Sequence, residues 1–492
     1  MSFITNQYFI FLCTVAILYF SLPQKLRWVL LLASSYYFYA CWKVEFLLLI
    51  IFSTFIDYIC ALKIQECRSD SNNKKLVFLL ISLIMNLGLL FTFKYSDFFI
   101  TNTNLLFKNF NLLYQIPHLN LLLPVGISFY TFQTLSYTID VYQGKRDAER
   151  HLGIFALYVS FFPQLVAGPI ERSTHLMPQF FENHRVDFER IRSGLRLILW
   201  GIFKKVVIAD YIAVFVNKVY ENPSNFNAVF LLLATYFFAF QIYCDFSGYS
   251  DIAIGSARIL GYDLMQNFDN PYFATSIKGF WKRWHISLTS WFKDYIYLPL
   301  GGQRTSQVQW VFNIFIVFLI SGIWHGANWT FVAWGALHGF LYLLIEYINK
   351  LFFGKKRDHS KKENLFNQVF NALLTFNFVA VTWIFFRAKT LTEALIIVKR
   401  IIATPLTSYY EQVKMFVLSL KNIFISWHFN VQLGLFLILS LMIIDYIKNK
   451  PTFLDQNTIL VKIGRYIVYS IALVLIFLFY NFSKEDFIYF QF

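Results

Sequence analysis

The sequence predicts an all-α polytopic membrane protein, with roughly 10–13 membrane segments around a central cavity and short cytoplasmic or re-entrant helices between them. Three observations carry this expectation. Of the 492 residues, 57% are hydrophobic and only 14% are charged, where a soluble domain averages about 25% charged residues. Apolar stretches recur from Tyr8 to Tyr480 without a long polar interruption, so residues 1–492 read as a single membrane domain rather than an anchor plus a soluble domain. The formal charge of +15 sits in short loops between the apolar runs, as in cytoplasmic loops, and no RNA- or DNA-binding motif accompanies it.

Each run follows from the need for about 20 apolar residues to cross a bilayer as a helix. The first, 8–22, lacks a preceding basic residue and a small-residue cleavage site, so it reads as a retained helix. Further runs cover 28–42, 46–62, 76–93, 152–167, 195–216, 228–244, 311–323, 331–348, 366–386, 433–447 and 466–480. Basic residues place Lys25 and Arg27, 63–75, 145–150 and 355–362 in the cytoplasm, and Lys448, Lys450, Lys462 and Arg465 put the start of the final helix there. Both termini are then extracytoplasmic, including an aromatic tail at 481–492. The stretch 267–304 has no long apolar run and is punctuated by Gly and Pro. Irregular backbone at membrane depth survives only within protein or beside water, so short helices at the cytoplasmic mouth of a cavity are expected there.

Composition excludes other classes. The five cysteines, Cys13, Cys41, Cys60, Cys67 and Cys244, have neither metal nor disulfide spacing. The 59 phenylalanines rise together with Ile, Lys and Asn, as in an A/T-rich genome, and carry no binding inference. No phosphate-binding loop, paired zinc histidines or nucleophile-elbow serine occurs. No metal site is expected.

Ionisable groups inside membrane segments are costly and by default functional. Six of the nine histidines, at 118, 151, 175, 184, 359 and 428, fall in loops or near segment ends and read as solvated or interfacial. His325 lies in Ser321-Gly322-Ile323-Trp324-His325-Gly326-Ala327-Asn328-Trp329. Its imidazole can serve as a base near neutral pH, or it can be a core histidine bonded to a carbonyl; position alone leaves both open. His285, in Trp281-Lys282-Arg283-Trp284-His285-Ile286-Ser287, fits an interfacial aromatic-basic belt equally well, and His338 reads as helix packing. Asp245 and Asp251, six residues apart, are no tight acid/base pair and suit capping or pairing with a cation.

Several segments together carry a resemblance. They are Pro124-Val125-Gly126-Ile127-Ser128-Phe129-Tyr130, residues 137–142, Phe162-Pro163-Gln164-Leu165-Val166-Ala167-Gly168-Pro169, Asp245-Phe246-Ser247-Gly248-Tyr249-Ser250-Asp251, Asn267-Phe268-Asp269-Asn270-Pro271-Tyr272, residues 280–288 and residues 322–328. In this order they resemble the bacterial membrane-bound O-acyltransferases, in the branch of alginate O-acetylase and peptidoglycan O-acetyltransferase membrane subunits. The resemblance runs the length of the chain. It implies that His325 is the catalytic histidine and that His285 is the second characteristic polar position. It also implies an acetyl-CoA donor on the cytoplasmic side, O-acetylation of a cell-surface polysaccharide, residence in the cytoplasmic (inner) membrane, and a separate periplasmic esterase-like (SGNH-type) partner.

Under that resemblance Lys278, Lys282, Arg283 and Arg304 are expected to hold the donor's phosphates, although positive-inside bias explains them as well. Tyr489, in the tail Asp486-Phe487-Ile488-Tyr489-Phe490-Gln491-Phe492, is expected to relay the acyl group. Eight residues past Asn481, it reaches roughly 25–30 Å when extended, and a phenol near pKa 10 stands between a thiol near 8.5 and an alkyl alcohol as a leaving group. An interfacial aromatic anchor is the competing reading. D-alanyl transfer toward teichoic acids, lipid or protein acylation, and a transporter without chemistry remain alternatives. The last would often show inverted repeats, and none is visible.

Overall fold

The computed structural model describes residues 1–67, 72–353, 364–427, 430–448, 459–480 and 487–488. Among them the secondary structure is helical, without a strand. Among the described residues six helices are long and apolar enough to cross a membrane: Val44–Glu66, Asn73–Asn109, Ala228–Leu260, Gln307–His325, Trp329–Leu351 and Leu365–Arg387. Four shorter apolar helices, Asn6–Ser21, Leu152–Leu165, Val431–Ile447 and Tyr466–Phe479, bring the set into the expected range. Large apolar side chains such as Leu48, Ile84, Leu87, Phe370 and Leu373 are exposed on these helices. In a bilayer they face lipid, which solvates them at no cost. The basic run 355–362 lies outside the described residues.

The chain forms two compact units. The first comprises Met1–Ile198, Ser250–Asn267 and Ser290–Ile296. Its centre is polar. Asp57, buried in an apolar helix, accepts hydrogen bonds from Ser82 Oγ (2.5 Å) and from Asn86 Nδ2 (2.9 and 3.0 Å), and Asn86 Oδ1 accepts from Ser53 Oγ (2.6 Å). A buried carboxylate left without such donors would cost several kcal/mol.

The helix Ile127–Tyr142 also belongs to this unit and is absent from the segments expected from hydropathy. It is buried on nearly every face. Ser128, Thr131, Gln133, Thr134, Ser136, Thr138 and Asp140 dilute its hydropathy, yet the last five are hydrogen-bonded inside the fold. Gln133 Nε2, for example, donates to the Tyr158 carbonyl at 2.6 Å. His184 corrects another expectation. It is buried rather than solvated, with Nε2 2.9 Å from the Gln179 carbonyl oxygen.

The second unit comprises Leu199–Tyr249, Phe268–Thr289 and Tyr297–Phe492. Its frame is the hairpin of Gln307–His325 and Trp329–Phe353. Ser306 Oγ caps the first helix by accepting from Gln309 N–H, and Asn328 Oδ1 caps the second by accepting from Thr330 N–H (3.0 Å). The two backbones touch. A Cβ on Gly322 would lie 2.3 Å from the Phe331 carbonyl oxygen, and one on Gly335 2.4 Å from that of Phe318. Small residues let membrane helices approach this closely. The helix Ala228–Leu260, expected to end at Cys244, continues through the polar run 245–251 because Gly248 packs on Gly201 and Asp245 finds a cation. Segment 267–304 forms short pieces, as expected: Pro271–Phe273, Ile277–Trp281, Ile286–Phe292 and Lys293–Tyr297.

Gly335→Val therefore forces the hairpin apart at its backbone contact. We expect a cost of about 1–3 kcal/mol, read as a lower thermal midpoint in detergent. Gly88→Ala, where an added Cβ meets nothing within 4 Å, should leave the midpoint unchanged or raise it slightly.

Candidate active site

His325 is the last residue of the Gln307–His325 helix and is 3% exposed. Its ring lies edge-on to three neighbours, with centroids at 5.0 Å from Trp324, 5.0 Å from Trp334 and 5.3 Å from Phe386. Gly326 follows because a Cβ there would come within 2.2 Å of the Phe331 ring, which stands against Phe386. The sequence Trp-His-Gly is thus dictated by ring packing around the imidazole.

His285 sits in the turn between Ile277–Trp281 and Ile286–Phe292. Its backbone is left-handed, with φ of 44°. Few non-glycine residues adopt that region, and such positions concentrate at functional sites. It is buried, not interfacial: the side chain is 1% exposed and edge-on to Phe246 at 4.6 Å. Trp324 bridges the two histidines, 6.2 Å from the His285 ring and 5.0 Å from that of His325. Burial pushes the His285 imidazole down to about 3, which leaves it neutral at physiological pH.

Behind Phe246 lies a charged set that the sequence reading anticipated only in part. Asp245 pairs with Lys205 Nζ at 2.8 Å, and Lys205 also meets Asp210 at 2.8 Å, all three nearly inaccessible. Lys204 Nζ donates to Ser247 Oγ at 2.8 Å. Adjacent helical residues ordinarily diverge, but Phe203–Ala209 is wound as a π-helix, and both lysines are buried. Such bulges are frequent at functional sites. Neither lysine stood out in the sequence, and neither did Asp57 or Asp445, a buried carboxylate that accepts from Tyr243 Oη at 3.0 Å.

The aromatic tail comes to the same place. Ile488 N–H donates to Asp245 Oδ2 at 2.7 Å, and Phe487 packs on Tyr249 (4.5 Å) and Phe246 (5.6 Å). Both residues are buried. Tyr489, the expected relay, lies outside the described residues. Lys278, Lys282 and Arg304 are exposed and Arg283 is partly so. The first three of these cations in chain order lie in or just after the Ile277–Trp281 helix, whose N-terminus Ser276 caps by accepting from Gly279 N–H at 3.0 Å. No group of three or more His, Cys, Asp or Glu suited to a metal occurs among the described residues.

Residues 151–376, which contain His285, His325 and the four cations, match the family model of the membrane-bound O-acyltransferases. The probable alginate O-acetylase of Pseudomonas putida is 40% identical over 398 residues, 80% of this chain and 79% of that protein. The peptidoglycan O-acetyltransferase of Helicobacter pylori is 38% identical over 397 residues, 75% of this chain and 72% of that protein. The teichoic acid D-alanyltransferase of Bacillus subtilis is 26% identical over 294 residues, 56% of this chain and 70% of that protein.

The buried neutral His285 has a consequence for acid stability. An unfolded histidine titrates near 6.5, above the folded value of about 3. Between these values the unfolded chain binds the extra proton, so stability is lost as pH falls below about 6.5. His285→Asn keeps a residue tolerant of the left-handed backbone and removes the titration. The fall of its thermal midpoint between pH 7 and pH 4 should be shallower than in the wild type.

Proposed function

The chain belongs to the membrane-bound O-acyltransferase family, and from that premise we propose that it moves an acetyl group from cytoplasmic acetyl-CoA across the inner membrane for O-acetylation of a cell-surface polysaccharide. The protein is a multi-pass membrane O-acyltransferase. The observation that carries the finer reading is the pair of buried imidazoles, His285 and His325, joined through one tryptophan. Relatives named for acetyl transfer are 38–40% identical against 26% for those named for D-alanyl transfer, which supports acetyl over D-alanyl. The substrates of the relatives favour alginate- or peptidoglycan-like polymers.

In this mechanism the acceptor oxygen attacks the thioester carbonyl carbon while His325 takes the hydroxyl proton. The C–S bond breaks, and the proton goes on to the departing thiolate, which is stable near neutral pH because thiols titrate near 8.5. General-base help of this kind contributes about 10²–10⁴ in rate. Neutral His285 orients a reactant by hydrogen bonding. Lys278, Lys282, Arg283 and Arg304 hold the donor's phosphates at the cytoplasmic face. Both termini lie outside, where a periplasmic esterase-like (SGNH-type) partner accepts the acetyl group and delivers it to the polymer.

Tyr489 is the carrier in between. It directly follows Ile488, whose amide is held by Asp245 on the helix turn that also places Phe246 against His285. This docking supports the relay over a simple interfacial anchor, since Phe487 and Ile488 are buried in protein.

His325→Ala should abolish acetyl transfer from radiolabelled acetyl-CoA while the purified protein keeps its thermal midpoint; substantial turnover would refute the assignment. His285→Ala should lower turnover less. Tyr489→Phe keeps the aromatic ring and deletes the hydroxyl. We expect polymer acetylation to be lost in cells carrying it, and a normal rate would leave the tail as an anchor only.

A further inference from the structure

His338 lies in the middle of the Trp329–Phe353 helix and is inaccessible. Its Nε2 is 2.8 Å from Thr382 Oγ1, and Thr382, with a single hydroxyl hydrogen, also contacts the Val379 carbonyl oxygen at 2.7 Å. If that hydrogen goes to Val379, the usual back-bond of a helical threonine, His338 donates from Nε2 and Nδ1 keeps a bare lone pair. In the other tautomer Nδ1 carries the hydrogen. In both cases Nδ1 has no hydrogen-bond partner among the described residues. Two tryptophans meet the ring edge-on, Trp281 and Trp334, each with its centroid at 4.9 Å. Their indole N–H groups are buried and likewise have no partner. Trp334 is also the ring against His325.

A buried polar atom without a partner is destabilising. Three on mutually contacting rings, one ring from the catalytic base, require a common explanation. We propose that Trp281, Trp334 and His338 form a subsite for the secondary amide in the linker of the thioester donor. An amide N–H supplies the hydrogen that the Nδ1 lone pair accepts, and the amide carbonyl accepts from an indole N–H. A charged group would be stranded there, and, with the Thr382 hydrogen on Val379, a bare carbonyl would leave Nδ1 unanswered. A hydroxyl on the acceptor shares the required chemistry, but placement favours the donor. Trp281 ends the short helix that begins beside Ser276, and this helix carries Lys278 on its exposed side, with Lys282 and Arg283 directly following. The same few residues thus present cations outward and an indole inward, so a donor held by its phosphates has its linker beside His338 and its thioester toward His325. This assignment rests on the acyl-transfer reading above.

The test compares two short acetyl thioesters, S-acetyl-N-acetylcysteamine, which keeps one linker amide, and S-acetylhexanethiol, which has none. Their kcat/KM ratio within one protein sample is independent of how much protein is folded. The wild type should prefer the amide thioester by about tenfold, one neutral hydrogen bond. In His338→Phe and Trp281→Phe the preference should fall to about twofold or less, with the loss in KM. A His338→Phe variant that keeps the full preference overturns the subsite, as does one whose KM changes only for the acceptor. If the wild type turns over neither of these thioesters nor acetyl-CoA, the acyl-transfer reading fails instead. The subsite is then decided by tryptophan fluorescence quenching with the same two thioesters, where equal affinities of wild type and His338→Phe for the amide compound would overturn it.

Discussion

A lysine ammonium enclosed by two carboxylates holds the middle of the second unit. Removing a charge from water costs several kcal/mol, and removing one partner of a buried set strands the others. Lys205, Asp245 and Asp210 therefore stand or fall together. Their register fixes the π-wound turn 203–209 against the midpoint of the Ala228–Leu260 helix. From that same midpoint Phe246 reaches His285, Ser247 receives Lys204, and Tyr249 receives Phe487. The rear wall of the candidate site is thus built outward from one ion set.

The front of the centre obeys a different rule. Around His325 and His338 the neighbours are indoles and phenyl rings, which supply shape and area but few hydrogen-bond acceptors. Orientation there comes from edge-to-face packing, from glycines that let helices touch, and from a left-handed residue at 285. In the first unit, by contrast, the buried carboxylate of Asp57 is answered by hydroxyls and an amide. Burial around the two histidines is met by close aromatic packing, and burial of Asp57 by hydrogen bonds.

Much of this was legible in the sequence, for physical reasons. Hydropathy finds helices whose lipid-facing side is continuous, and so it found most of the apolar helices. It missed Ile127–Tyr142, because a helix enclosed by protein needs no lipid-compatible face and can carry Thr, Ser and Gln throughout. It stopped Ala228–Leu260 too early, at the first aspartate, because a charge reads as an end unless its counter-ion is known. Pairing for Asp245 was foreseeable; its partner was not. A π-turn shifts helical phase, and no residue pattern in Phe203-Lys204-Lys205-Val206 announces it. The motifs around His285 and His325 were visible as strings, yet the positive φ at 285 and the tryptophan between the rings belong to three dimensions.

The bond between Ile488 and Asp245 joins residues 243 positions apart in the chain. At about 5–20 residues per second of synthesis, Asp245 waits on the order of 10–50 s before its amide donor is made. During that interval Lys205, itself paired with Asp210, must keep the carboxylate in place within the inserting protein. The ion set therefore also governs biogenesis: it preserves a vacant berth on the Ala228–Leu260 helix until a segment translated far later arrives to fill it. An early stop or a damaged tail would leave a membrane protein that is inserted and largely packed, yet with its rear wall unfinished, and cellular quality control would meet it as a nearly native species.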